Sequence, residues 1–164
     1  MVVRRPDSTT TSSGADDCSA DDFYRQEWTG AVRLAWLLTG NRWAAEDLAQ
    51  DAFVAMSHLR HVENPRAYLR TALVNASRSR FRRLAVERRY RADPMPATLQ
   101  PEFDDLLVAI RRIPERHRTA LILRYYADLS VEQVATTMGC PFATAKSLIQ
   151  RGLVQLRKEL ASDG

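Results

Sequence analysis

The sequence predicts an all-α chain of two small helical domains joined by a flexible linker. Apolar residues recur at helical spacing in every periodic segment. Only 6 glycines occur in 164 residues and β-branched runs are lacking, which favours helix over sheet. Near the middle, Asp93-Pro94-Met95-Pro96 and Pro101 break the periodicity. A chain of this length holds one ordinary domain or two small ones, and the break favours two.

Residues 1–20 are rich in Ser, Thr and Asp with little to bury, and read as a disordered tail. Asp21 or Asp22 then suits an N-cap. Phe23, Ala31, Leu34, Ala35 and Leu38 form an apolar stripe that stops at Thr39-Gly40. Asn41 caps a second helix carrying Ala45, Leu48, Ala49, Ala52, Phe53 and Met56 inward. Asn64-Pro65 supplies a cap and a proline at the first helical position of a third helix, ending near Arg83. Its inward residues are Tyr68, Leu69, Ala72, Leu73 and Ala76. These three helices make one bundle within a domain spanning 21–90.

Residues 91–102 form the linker. Its first eleven residues, fully extended, reach roughly 36–40 Å, long enough to hold two modules apart rather than pack them into one core. The second domain, 103–161, reads as four helices. Phe103 to Arg112 is the first, and Pro114 opens the second, which ends near Ala127-Asp128. Ser130-Val131-Glu132-Gln133 has capping-box spacing and opens the third, closed by Gly139. Cys140-Pro141 starts the last, with Ala145, Leu148, Ile149, Gly152, Leu153, Leu156 and Leu160 in one apolar stripe. A capped helix, a tight turn and a second amphipathic helix make a helix-turn-helix, whose second helix is shaped for the major groove of DNA.

Charge is polarised. Arg60 to Arg91 holds ten Arg against two Glu, a balance of +8 in a chain of net +4, leaving −4 elsewhere. That predicts a polyanion partner for one face. Cys18 and Cys140 form no disulfide framework or metal spacing, and His58 and His61 lack a third ligand. No metal or cofactor is expected. No apolar run is long enough to span a bilayer and no signal peptide is evident, so the expected location is cytoplasmic.

Three sets of side chains stand out. With the last helix's stripe buried, Thr144, Lys146, Ser147, Gln150 and Arg151 project elsewhere; Lys and Arg suit phosphates or guanine, Gln suits adenine. The third helix crowds Arg66, Arg70, Arg78, Arg80, Arg82 and Arg83 on one element, a repulsion that bound phosphate relieves. Thr71 and Asn75 among them suit holding a base. The second helix carries an acidic patch, Glu46, Asp47, Gln50 and Asp51, which suits a protein partner better than a metal.

In these segments the chain resembles the extracytoplasmic-function (ECF) sigma factors of the sigma-70 family, the kind with only regions 2 and 4. The resemblance covers about residues 20–160. It rests on Leu34-Ala35-Trp36-Leu37-Leu38-Thr39-Gly40, Ala45-Glu46-Asp47-Leu48-Ala49-Gln50-Asp51-Ala52-Phe53 and Asn64-Pro65-Arg66-Ala67-Tyr68-Leu69-Arg70 in the first domain. In the second it rests on Ile113-Pro114-Glu115-Arg116, Leu123-Arg124-Tyr125-Tyr126-Ala127-Asp128-Leu129-Ser130, Met138-Gly139-Cys140-Pro141 and Thr144-Ala145-Lys146-Ser147. The tyrosine pair before Asp128 resembles the sigma-E-like actinobacterial branch. Ala143, Ala145, Leu148 and Tyr68 depart from the Gly, Val, Arg and Trp usual there.

The resemblance implies a non-enzymatic initiation subunit. Glu46, Asp47, Gln50 and Asp51 would dock on the β′ coiled coil of core RNA polymerase, with further contacts to its β subunit. His61, Asn64, Tyr68, Thr71, Asn75, Arg78 and Arg82 would recognise and help melt the −10 element of promoter DNA. Thr144, Lys146, Ser147, Gln150 and Arg151 would contact the −35 element. An anti-sigma factor is a further implied partner, and the free chain is expected to be a monomer. The rival readings are a stand-alone helix-turn-helix regulator, against which the first half lacks βα alternation, and a metal-dependent enzyme acting on nucleic acid.

Overall fold

The computed structural model describes residues 14–90 and 105–162, with side chains described over 20–86 and 105–162. Its helices are α1 (Gly14–Thr39), α2 (Arg42–Ser57), α3 (Pro65–Tyr90), α4 (Asp105–Arg112), α5 (Glu115–Leu121), α6 (Val131–Met138) and α7 (Phe142–Ser162). No strand occurs among the described residues. Helices α1, α2 and α3 pack on one another, and α7 is the spine against which α4, α5 and α6 lie.

The caps sit where side-chain chemistry demands them. Asn41 Oδ1 accepts from the Ala44 amide at 3.0 Å, and Asn64 Oδ1 from the Ala67 amide at 3.0 Å. At α6, Ser130 Oγ accepts from the Gln133 amide at 3.2 Å while Gln133 Oε1 accepts from the Ser130 amide at 2.9 Å. Each such cap is worth about 1 kcal/mol because it satisfies an amide that the helix cannot. Gly40 ends α1 with φ +72°, its amide bonded to the Trp36 carbonyl at 2.7 Å.

Inside the first bundle Ala35, Leu38, Ala45, Ala49, Leu73 and Val74 are all but inaccessible. Each fully buried leucine contributes about 1.5–3 kcal/mol relative to exposure. Phe53 is ringed by Phe23, Tyr24 and Trp28, with ring centroids 4.9–6.2 Å away. In the second module the core is Ala109, Ile113, Leu121, Leu123, Val134, Ala145 and Ile149.

Several boundaries differ from expectation. Helix α1 begins at Gly14, not at an Asp21 or Asp22 cap, because nothing between Gly14 and Gly30 breaks a helix. The tail expected over 1–20 therefore shrinks; residues 1–13 lie outside the described residues, as do linker residues 91–102. Helix α3 runs past Arg83 to Tyr90 for the same reason, the next proline being Pro94. Downstream of α5 the chain widens into a π-helical turn over Ile122–Tyr126, with the Ala127 amide on the Ile122 carbonyl at 3.1 Å. Asp128 then takes φ +53°, a left-handed conformation that Asp tolerates better than most residues. Tyr68, Ala72, Ala76 and Met56 are half-buried, and Leu160 is exposed, beyond the reach of the core.

The larger difference is that the modules touch. Helix α3 packs against α6, and α1 against α5 and the π turn. Arg78 Nη1 donates to the Met138 carbonyl at 3.1 Å, completing the open C-terminal end of α6. The Arg118 guanidinium lies 5.3 Å from the Phe81 ring centre and that of Arg111 5.2 Å from Trp36. Such cation–π contacts draw charged stems from one module onto aromatic faces of the other.

Gly152 marks a tight approach of α5 to α7 in the second module. A Cβ there would lie 3.0 Å from Leu121 Cγ and 3.3 Å from the His117 carbonyl. Gly152→Val is expected to cost about 2–3 kcal/mol by overpacking α5 against α7. Chemical denaturation of the full chain checks this through a lowered midpoint at unchanged slope.

Candidate functional site

The helix-turn-helix is built from α6, the Gly139-Cys140-Pro141 turn and α7. Gly139 adopts φ 62°, ψ 42°, and the amides of Gly139 and Cys140 return to the Thr136 and Ala135 carbonyls at 3.2 and 3.0 Å. This left-handed cap reverses the chain in so few residues that α7 is forced to cross α6. Ala145, Leu148, Ile149 and Gly152 are buried, and Leu153 and Leu156 half-buried. Lys146, Gln150 and Arg151 are exposed; Thr144 and Ser147 are half-buried. Leu148 is only 8 % exposed, packing into the core while bordering the cleft between α5 and α7.

On α3, Tyr68, Thr71, Asn75, Arg78 and Arg82 fall at i, i+3, i+7, i+10 and i+14, a spacing that aligns them on one face. Asn75 and Arg82 are exposed, Tyr68 and Thr71 half-buried. Arg82 hydrogen-bonds Ser79 Oγ at 3.3 Å. Arg78 is engaged by the Met138 carbonyl, so this face abuts the helix-turn-helix. His61 is exposed in the preceding loop, and Asn64 uses its carbonyl oxygen as a cap. Arg66 makes a 2.7 Å ion pair with Glu27, so not every arginine of this helix is left to a polyanion.

The acidic patch of α2 divides. Glu46 is tied to Arg42 at 3.1 Å, whereas Asp47, Gln50 and Asp51 are exposed. Sequence reasoning missed the residues at its ends. Trp43 is 80 % and Val54 49 % exposed, and with Asp47 and Gln50 they recur at i, i+4, i+7 and i+11 along one stripe. An exposed tryptophan beside unpaired carboxylates is what a protein-docking helix presents. The only signal in the sequence was an aromatic outside the apolar period. Trp43 also lines a cleft of about 800 Å³ with Trp28, Val32, Trp36 and Arg111.

At the start of α5, basic side chains gather around His117. Burial, then Arg151 and Arg116, push the His117 imidazole below its ordinary value. Burial lowers Arg118 too, with Glu115 opposing it, and Arg118 Nη1 donates to the Arg111 carbonyl at 3.0 Å. No cluster of three or more His, Cys, Asp or Glu suited to a metal ion occurs among the described residues, and no described helix is long and apolar enough to cross a membrane.

Comparison with known proteins agrees with this geometry. Residues 23–86 match the family model for sigma-70 region 2, and residues 103–156 that for sigma-70 region 4. The chain is 32 % identical to the ECF RNA polymerase sigma factor SigE of Mycolicibacterium smegmatis, over 87 % of its own length and 62 % of that relative's. It is also 32 % identical to the ECF sigma factor EcfG of Rhodopseudomonas palustris, over 77 % of each chain. Among solved structures, the sigma factor RpoE of Bartonella quintana, bound to the anti-sigma factor NepR, superimposes with a TM-score of 0.68 at 25 % identity, covering 88 % of this chain and 99 % of that one. Two matched regions in order, one on a three-helix bundle and one on a helix-turn-helix, leave one conclusion: the chain belongs to the extracytoplasmic-function sigma factors of the sigma-70 family.

Proposed function

We propose that this chain joins core RNA polymerase, directs it to a class of promoters and helps open them, without chemistry of its own. The observation that carries this is the pairing of two DNA-suited faces on one chain. One is the exposed polar face of α7; the other is the aligned face of α3 with Asn75 and Arg82. Asp47, Gln50 and Asp51 on α2 dock the polymerase through the β′ coiled coil, and its β subunit supplies further contacts. Thr144, Lys146, Ser147, Gln150 and Arg151 engage the −35 element. His61, Asn64, Tyr68, Thr71, Asn75, Arg78 and Arg82 serve the −10 element, where polar groups hold bases taken out of the stack.

The two elements lie roughly 25 base pairs apart, or about 85 Å at 3.4 Å per pair. The contact between α3 and α6 therefore parts when both are engaged, freeing Arg78 from the Met138 carbonyl. The chain works in the cytoplasm. The structural likeness to a sigma factor held by an anti-sigma factor supports a partner of that kind. Placement in the sigma-E-like branch is supported by Tyr125-Tyr126 before Asp128-Leu129-Ser130.

Run-off transcription with core polymerase over a promoter library tests the proposal. The chain is expected to confer defined start sites preceded by two sequence blocks at fixed spacing. Start sites identical to those of core polymerase alone would overturn it.

A further inference from the structure

We propose that Phe142, the first residue of α7, determines specificity in the upstream promoter element by setting its ring against the C5 methyl of one thymine in the major groove. This rests on the DNA-binding reading above. It adds an apolar reader to the polar set of Thr144, Lys146, Ser147, Gln150 and Arg151.

Position comes first. Phe142 opens α7 and is 48 % exposed. It stands four residues before Lys146 and eight before Gln150, both exposed, so the three share one strip along the outside of the helix. Pro141 and Ala143 on either side are exposed too, so this end of α7 is uncovered. In a docked helix-turn-helix it is the N-terminal residues of the second helix that contact base edges.

The surroundings fix what the ring can meet. Phe142 borders a hollow of about 540 Å³ together with Ala135, Thr136 and Pro141, and Glu132 stands at its rim. Thr136 Oγ1 donates to the Glu132 carbonyl at 3.0 Å, so that hydroxyl is spent within α6. Among the described residues no lysine or arginine lines the hollow, and its one charged side chain, Glu132, repels phosphate. An apolar ring beside a carboxylate does not suit the DNA backbone. Among base edges in the major groove, the apolar group on offer is the thymine methyl, and phenylalanine is a side chain that suits it. Contact there withdraws ring and methyl from water together, which the free chain has no means to do.

Promoter binding by holoenzyme reconstituted from core polymerase and the full chain tests this, on a promoter whose upstream block the run-off library has defined. Each thymine of that block, on either strand, is replaced in turn by uracil, which removes the C5 methyl and keeps the base pairing. With wild type, one replacement is expected to weaken binding about threefold to fourfold, the effect of taking one methyl out of a buried contact. Phe142→Ala is expected to weaken binding to the thymine duplex by at least that factor, and to bind the thymine and uracil duplexes equally at that position. Phe142→Leu keeps the discrimination. Alanine is the best helix former and the site is half in water, so α7 is expected to stay folded; gel filtration confirms that each variant joins polymerase. Wild type indifferent to every uracil replacement overturns the assignment, and so does Phe142→Ala that discriminates as wild type does. An upstream block without an A·T pair overturns it as well. A wild-type chain that confers no defined start sites overturns the proposed function itself, before any uracil is introduced.

Discussion

Asp47→Arg with Asp51→Arg is expected to remove measurable association with core polymerase while helix content and unfolding midpoint stay at wild-type values. Both carboxylates are exposed on the outer face of α2, and neither makes an ion pair among the described residues. The fold therefore does not depend on them. Surface substitutions of this kind shift stability by about 0.5 kcal/mol or less. At an interface the same change sets like charges opposite each other, which costs several kcal/mol, at least a hundredfold in affinity. Glu46 is the built-in comparison, because its ion pair with Arg42 already occupies it. Glu46→Gln should weaken association far less. Surface plasmon resonance against immobilised core polymerase reads all three. Wild-type affinity in the double variant would remove α2 from the docking surface.

Lys146→Ala with Arg151→Ala is expected to lower output roughly a hundredfold from promoters that need the upstream element, and to leave association with polymerase intact. Each good contact to a base edge is worth about 1–3 kcal/mol of discrimination. Both side chains are exposed on α7, so truncation opens no cavity in the core beneath. The ratio of output from a promoter with the upstream element to one without it is the measurement that matters. A ratio unchanged by the double substitution would exclude α7 from recognition, whatever happened to absolute rates.

Much of this was legible in the chain before any fold was considered. The caps at Asn41, Asn64 and Ser130 and the left-handed Gly139 are local: their partners lie within five residues, so short-range chemistry specifies them. The inward faces of α1, α2 and α7 follow from period alone, because Leu34, Leu38, Leu48, Ala145 and Ile149 have nowhere else to go in water. Where local signals were weak, boundaries slipped. Helix α1 extends seven residues before Asp21 because no breaker stands there, and α3 outlasts Arg83 for the same reason.

What sequence alone could not give is which polar groups are already spent. Arg66 is held by Glu27, 39 positions away, and Arg78 by the Met138 carbonyl, 60 positions away. Both look identical to Arg82 in one dimension. A linker with extended reach equally permits separated and touching modules, and the choice between them belongs to contacts such as Arg118 on Phe81. The close packing of α5 on α7 likewise depends on Gly152, where a Cβ would lie 3.3 Å from the His117 carbonyl. Periodicity and capping are short-range, so the order of the helices, their buried faces and the family resemblance were legible in the residues themselves. Charge pairing and the juxtaposition of α3 with α6 depend on distances between residues far apart in the chain, which packing alone sets.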